Sequence, residues 1–374
     1  MTTESLGPAP SSGFPVWGGA AERLRFLLSY AVLAPSRHNA QPWLFEIEGD
    51  ELRVYADPAR TLPAADPDGR EQVIACGTAV VNLQLAAAHF GHATSTEVLP
   101  GHRSDGLLAR IRLEERRSST PEVEELFRAI PRRRTNRLPL DGREPPEGIV
   151  TQLLREARQE GVALRPVGEH ERRVVAELVA EGDAARWADP RYRAELAAWT
   201  RSNASGRRDG LPGYAQGLSD VAALLQPLVV RLGNVAREEA ERDRRRALGT
   251  RSLLVLSTAK DGQAEWIAAG EALQRVLLRA TAAGLAASYL NQPIEREGLR
   301  SRLASALGDR GAPQIMIRLG YGLEVPMVPR RRVEEVLRRY QPAARPPRAL
   351  ALRGQAYPPQ LPVGEMRTTA PHRP

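Results

Sequence analysis

The chain has 374 residues, 42% of them hydrophobic and 26% charged, with 5% aromatic, so Ala, Leu and Val must build most of any core. At about 150 residues per domain this is two domains or one large one, and no run nears the ~18 apolar residues of a membrane span. One cysteine, Cys76, excludes an internal disulfide and a multi-cysteine metal site, and suits a reducing cytoplasm. The formal charge of +8 rests almost wholly on arginine, with Lys260 the lone lysine, but Asp and Glu are interspersed along the chain. That mixing speaks against a nucleic-acid face, which gathers its cations. Residues 1–20 lack a basic segment followed by an apolar one, so no secretory signal is expected.

Residues 1–20 are rich in Pro, Gly and Ser and predict a disordered segment, followed by a helix over 24–33. Pro35 ends that helix, and a polar turn leads to strands over 43–47 and 51–55. Ser36, His38, Asn39 and Gln41 place a hydroxyl, an imidazole and two amides on this turn. They suit the polar edge of a flat heteroaromatic ligand, or simply cap the turn's own backbone. A long buried helix lies within 71–95 and a strand over 108–113.

Pro131–Arg137 reads PRRRTNR, a run of guanidinium groups and a hydroxyl that suits a phosphate or a solvated charged loop. A second run, PRRRVEEV, spans Pro329–Val336. Between them, a strand over 252–257, a long helix within 265–288 and a strand over 314–319 repeat the earlier order. An offset of 193 places Ile74 on Ile267, Gly77 on Gly270, Gly91 on Gly284 and Ser95 on Ser288. Gly91 and Gly284 read as helix C-caps, and the long period implies a duplicated domain. Residues 181–250 are too long for a connection and predict an insert with helices over 191–200 and 218–232, placed as a lid. Residues 341–374 hold eight prolines and predict an extended tail. The halves are thus 21–118 and 119–340. No Walker, Rossmann, G-x-S-x-G or H-E-x-x-H signature occurs, and the six histidines show no metal spacing.

The turn Ala34, Pro35, Ser36, Arg37, His38, Asn39, Ala40, Gln41, Pro42, Trp43 resembles the A-P-S-x-x-N-x-Q-P-W hallmark of nitroreductase-type flavoproteins. Arg133, Thr135 and Arg137 resemble that family's R-x-S-x-R motif, and Arg330 and Arg331 its C-terminal basic pair. The duplication, the insert and the A-P-S-x-H-N variant look most like the Acg subgroup of actinobacteria. The resemblance implies an α+β nitroreductase-like fold, duplicated in one chain as two antiparallel-sheet halves around a shared helical core, with FMN as cofactor. It implies that Arg133, Thr135, Arg137, Arg330 and Arg331 hold the phosphate and that Pro35, Ser36, Arg37 and Asn39 edge the ring and ribityl chain. Tyr289, Leu290, Asn291 and Gln292 then lie near the reactive N5, with backbone N–H groups as donors; Asn291 stands where the family has an acidic residue.

The first half carries the turn but no arginine motif, and the second half carries the arginines but no Q-P-W. The expectation is therefore one complete flavin site in a monomeric pseudo-dimer. The chemistry implied is reduction of a small electron-poor acceptor, a quinone or nitro compound, by NAD(P)H, with the flavin and no dedicated acid–base residue carrying it. The alternative is a lidded protein that holds or sequesters FMN without turnover.

Overall fold

The computed structural model describes residues 7–100, 106–116, 118–233 and 235–338. Residues 1–6 of the N-terminal segment and the Pro-rich tail over 341–374 lie outside the described residues. α1 (Ala20–Ala31) leads through the turn to a hairpin, β1 (Trp43–Glu48) and β2 (Glu51–Ala56), and then to α2 (Arg70–His89), β3 (His92–Val98) and β4 (Leu107–Arg116). After α3 (Pro121–Ala129) come α4 (Glu147–Gln159) and β5 (Ala163–Pro166). An excursion follows: α5 (Glu169–Ala188), α6 (Pro190–Trp199), β6 (Thr200–Arg201), β7 (Leu211–Pro212), α7 (Asp220–Leu232) and α8 (Ala236–Gly249). The chain then runs through β8 (Ser252–Thr258), α9 (Gln263–Ala282), β9 (Ala286–Tyr289), α10 (Glu297–Ala306), β10 (Ala312–Gly320) and α11 (Val333–Val336).

The two halves have one topology. The first sheet has the order β1-β2-β4-β3 and the second β5-β8-β10-β9, antiparallel throughout. In the first half the first two strands of this order, β1 and β2, are joined by the short turn at Gly49 and Asp50. In the second half that same connection holds the whole excursion from α5 to α8. A long insert is tolerated in a hairpin because its ends are already held together.

α2 and α9 form the shared helical core. They cross at the matched glycines: a Cβ on Gly77 would lie 2.4 Å from the Ile267 carbonyl oxygen, and one on Gly270 only 2.1 Å from that of Ile74. The offset of 193 is therefore a pseudo-two-fold axis, and no side chain fits on it. Gly91 (φ +83°) and Gly284 (φ +73°) end the two helices in the left-handed conformation, as expected of C-caps.

The strand patterns differ because the sheets are covered differently. β8 is apolar on both faces: Leu254 and Leu256 pack with α9, while Leu253 and Val255 pack with α5, α8 and α10. The outer face of the first sheet instead carries a charge ladder in which Glu51 meets Arg53, Arg110 and Arg112. Strands β3, β5 and β9 were not anticipated. β3 and β9 directly follow the glycine caps, and β5 is only four residues long.

Two expectations need revision. Residues 7–19 are not without structure: Phe14 stacks on Phe90 at 4.3 Å and meets Phe26 edge-on at 5.4 Å, which ties the segment to the first core. The boundary at 118/119 is also not a packing boundary. Leu126, Phe127 and Ile130 of the α3 region lie in the first half's core, as does Val336 from the far end of the second. Leu337 then bridges to Phe45, and Arg338 N–H donates to the Phe45 carbonyl (2.8 Å).

Candidate functional site

The 34–42 turn carries three non-glycine residues in the left-handed region, His38 (φ +50°), Asn39 (φ +53°) and Gln41 (φ +52°). Such strain persists only where the surroundings over-determine it. The Ser36 hydroxyl accepts from Gln41 N–H (2.8 Å), and Thr78 on α2 donates to the Pro35 carbonyl (3.2 Å). The insert grips the turn as well: Asn39 Nδ2 donates to the Gly210 carbonyl (3.1 Å) and Gln41 Nε2 to that of Arg208 (2.7 Å). Capping and ligand presentation are thus not alternatives here; the turn does the first in order to be rigid enough for the second.

Beyond Pro131 the arginine run lies extended along β9. Thr135 bridges to Ala287, and Asn136 N–H donates to the Ala287 carbonyl (2.8 Å). This sets Arg133, Arg134, Thr135, Arg137 and Arg330 around a small cavity that also takes Pro35, Ser36 and Asn39 from the turn. Among the described residues, no carboxylate lines it. Arg133 is 4% exposed; one of its Nη atoms reaches the Leu33 carbonyl (3.1 Å), while Nε and the other Nη have no partner among the described residues. Arg330 donates to Asn39 Oδ1 (2.9 Å), and its Nε is likewise unpartnered among the described residues. Burial, then repulsion from Arg133 and Arg134, pushes Arg330 down to about 9; burial, reinforced by Arg134, pushes Arg133 down to about 10. Both stay cationic at neutral pH, and buried cations without counter-charge call for an anion.

Pro35, Ser36, Thr135 and Arg137 are shared with a much larger cavity of about 610 Å3, within the usual range for small-molecule sites. Its inner wall is Ile74, Ala75 and Thr78 of α2 with Leu273, Leu290 and Ile315. Its outer wall comes from the insert, with Trp187, Tyr192, Leu196, Leu225 and Val229. The insert therefore lines this cavity. Asp209 anchors it, meeting Arg60 of the body (3.1 Å) and Arg201 and Arg207 of its own loop (3.1 and 3.0 Å).

Arg37 reaches into this cavity but is committed to Glu71 (2.9 Å) and Glu295 (2.8 Å). Burial opposes its charge, and the two carboxylates outweigh that and hold it well above its ordinary value. His38 is driven well below its ordinary value by burial and by Arg37, Arg137 and Arg186, so its ring is neutral. The Asn39 side chain faces Arg330 and the insert more than the large cavity. Asn291 is held by Glu71 (3.3 Å) and by Met316 N–H (2.9 Å), and Gln292 Nε2 lies between Asp183 (3.1 Å) and Asp243 (2.6 Å). Leu290 N–H is spent on the Met316 carbonyl (3.0 Å), so that donor is not free for a ligand.

One predicted residue is not brought in. Arg331 lines neither cavity: its backbone N–H donates to Gln41 Oε1 (2.7 Å), and its guanidinium faces Asp57 (3.5 Å) and the Glu335 carbonyl (2.5 Å). Of the basic pair, therefore, only Arg330 lines the small cationic cavity. Arg134, Glu71, Glu295, Arg186 and Arg318 were not anticipated. Arg134 sits in the quoted run; the others carry no sequence signal, because contacts such as Arg37–Glu295, Arg186–Glu295 and Arg318 with the Leu138 carbonyl join residues more than a hundred positions apart. Cys76 is buried, which raises its thiol and leaves it inert. Among the described residues there is no cluster of metal ligands, and no helix is long and apolar enough to cross a membrane.

The fold and the site define a duplicated two-sheet protein whose halves enclose one ligand cavity, cationic at one end. No family model matches the chain. It is 32% identical over 322 residues to a Mycobacterium tuberculosis protein whose name assigns it provisionally to the NAD(P)H nitroreductases, covering 85% of this chain and 91% of that one. It is 30% identical over 321 residues to the similarly named Acg protein of the same organism, covering 84% and 94%. Among solved structures, the FMN-dependent nitroreductase NfnB of Mycobacterium smegmatis, in complex with NADPH, aligns at 17% identity with a TM-score of 0.39, over 58% of this chain and 99% of that one. The chain belongs to the nitroreductase family, in the group of the Acg protein.

Proposed function

We propose that this chain binds FMN in the shared cavity and acts as a cytoplasmic NAD(P)H-dependent oxidoreductase on a small electron-poor acceptor, a quinone or nitro compound. The observation that carries the reading is the pair Arg133 and Arg330, buried guanidinium groups whose N–H donors include ones unpartnered among the described residues, around a cavity that none of the described carboxylates lines. A phosphate dianion meets that donor set, and the adjoining cavity of about 610 Å3 has room for a three-ring heterocycle. The names of the relatives point to the same chemistry.

In this reading Arg133, Arg134, Thr135 and Arg330 hold the phosphate, with the Ser36 O–H as a further donor. The Pro35–Arg37 edge and Arg137 border the ring, and Ile74, Ala75 and Leu273 supply its apolar bed. Arg37, Arg70 and Arg186 neutralise Glu71 and Glu295, so these carboxylates do not repel an electron-rich ligand. The bound FMN supplies hydride acceptance and donation. Trp187, Leu196 and Val229 keep water from the outer face. Both halves of one chain supply the site, so one copy completes it.

The test compares FMN with riboflavin by quenching of flavin fluorescence. Charge-assisted hydrogen bonds to the phosphate are worth roughly 1.5–3 kcal/mol each, so FMN binds at least about a hundredfold tighter. Equal affinity, or none, overturns the assignment.

A second reading is favoured by the insert's grip on the turn through Asn39 and Gln41. A lid latched in this way holds the cofactor without admitting a nicotinamide, and the protein then stores FMN. The two readings part on whether NAD(P)H reduces the bound flavin.

A further inference from the structure

α7 presents its bulk outward. Ala223 and Val230 face the body and are buried, whereas Val221, Leu224, Leu225, Leu228, Val229 and Leu232 are between 50% and 74% exposed. These six follow the i, i+3, i+4, i+7, i+8, i+11 spacing and form one stripe along one face of the helix. Scattered exposed leucines are ordinary; a continuous stripe is not. Leu225 and Val229 share their exposure with the large cavity, and the other four alone offer on the order of 500 Å2 of outward apolar surface, within the range of a monomer's largest patch and well over half of the ~800 Å2 per partner of a stable interface.

Two charged residues indicate what covers the stripe. Asp220 and Arg231 are both exposed and stand eleven residues apart, close to three helical turns, so they mark the two ends of one edge of the stripe. When two such helices are related by a two-fold axis perpendicular to them, they run antiparallel and the same edges meet. Asp220 of one copy then lies beside Arg231 of the other, and the pair occurs twice. A two-fold axis along the helices would give a parallel pair with these edges on opposite sides of the contact, where Asp220 and Arg231 do not meet. The element is also held firmly: the Ser219 hydroxyl caps it by accepting from Ala222 N–H (3.4 Å), Gln216 and Gln226 exchange amide hydrogen bonds (3.2 and 2.9 Å), and Asp220 accepts from Asn203 Nδ2 (2.7 Å).

We infer that two copies of this chain associate through α7, antiparallel, apolar stripe against apolar stripe. The contact is isologous, as closed dimers require. It is unrelated to completing the site, which one chain already does. It does reach the site: Leu225 and Val229 belong to the stripe and also line the large cavity, so the partner's α7 backs that wall from outside.

Sedimentation velocity on the full chain, with and without FMN, tests this over about 1–100 µM. The expected species has twice the 41.0 kDa chain mass. Leu224→Asp with Leu228→Asp gives a monomer with the wild-type circular dichroism spectrum, since neither side chain supports the fold. Asp220→Arg alone and Arg231→Asp alone each weaken association by about tenfold, and the two together restore it, because the exchanged charges meet again. A wild-type chain that stays monomeric at about 100 µM overturns the inference, as does a dimer indifferent to Leu224→Asp with Leu228→Asp. Folded single variants whose charge-swapped double fails to recover association overturn the antiparallel arrangement.

Discussion

The crossing of α2 and α9 allows a prediction worked from distances. A methyl group on Gly270 would sit 2.1 Å from the Ile74 carbonyl oxygen and 3.0 Å from Gly77 Cα. The oxygen belongs to a helix backbone and cannot swing aside. Carbon and oxygen come to rest at about 3.3 Å or more, so the helices must part by roughly 1 Å. A gap of that size forfeits a quarter to a half of the dispersion energy between the facing atoms, and overpacking of this kind costs roughly 1–3 kcal/mol. We expect the upper end for Gly270→Ala, because α2 and α9 serve the cores of both halves. Gly77→Ala meets the Ile267 carbonyl at 2.4 Å and should cost nearly as much. The double variant should lose less than the sum, since one parting of the helices accommodates both methyl groups. Gly284→Ala is the control: nothing lies within 4 Å, and only its φ of +73° is strained, worth about 1–2 kcal/mol. Urea unfolding followed by tryptophan fluorescence measures all four. Stability of Gly270→Ala within about 0.5 kcal/mol of wild type would refute the glycine-on-glycine crossing and, with it, the reading of the offset of 193 as a pseudo-two-fold axis.

The remaining predictions address the site and the charges. Arg330→Gln and Arg133→Gln should each weaken FMN binding by roughly 10–100-fold, whereas Arg331→Gln should change it by no more than a few-fold; equal losses for all three in a fluorescence titration would undo the separation of Arg330 from Arg331. Burial, then the nearby Glu160, pushes Glu271 up to about 7 against the pull of Arg275. The folded chain then binds more protons than the unfolded one between about pH 4.5 and 7, so this carboxyl lowers stability as pH rises through that window. Glu271→Gln should therefore raise the melting temperature at pH 8 and leave it unchanged near pH 4, and a pH-independent effect would count against the assignment. Three arginines hold the Asp209 carboxyl well below the usual range, outweighing its burial. Asp209→Asn should free the 200–212 loop and speed tryptic cleavage at Arg207 and Arg208 several-fold; unchanged cleavage would show that the loop is held by other contacts.

What was legible in the sequence followed from local rules. The matched glycines predicted both long helices and their left-handed caps, because cap chemistry is decided within a few residues. The strand over 252–257 was readable because β8 is buried on both faces and is apolar throughout. The division of motifs between the halves led to one shared cavity, and the structure assembles it from the 34–42 turn and residues 133–137. Failures arose where distant residues decide. Phe14 orders the N-terminal segment only because Phe26 and Phe90 are waiting, and α3 joins the first core although it follows in the chain what looked like a boundary. Arg331 resembles Arg330 in every local respect, yet its guanidinium meets Asp57 of the first half and its N–H the Gln41 amide, contacts no local pattern announces. The carboxylates Glu71 and Glu295 left no trace in any motif, since Arg37 and Arg186, which meet them at the site, come from elsewhere in the fold.

The central claim is tested most directly by the visible spectrum of the FMN-supplemented, gel-filtered chain, followed under anaerobic NADPH and then NADH. The account predicts a flavin band that co-elutes with the protein and bleaches on addition of a nicotinamide. A band that dithionite bleaches and neither nicotinamide affects would contradict the oxidoreductase and leave the storage reading standing. A colourless protein would contradict FMN binding itself.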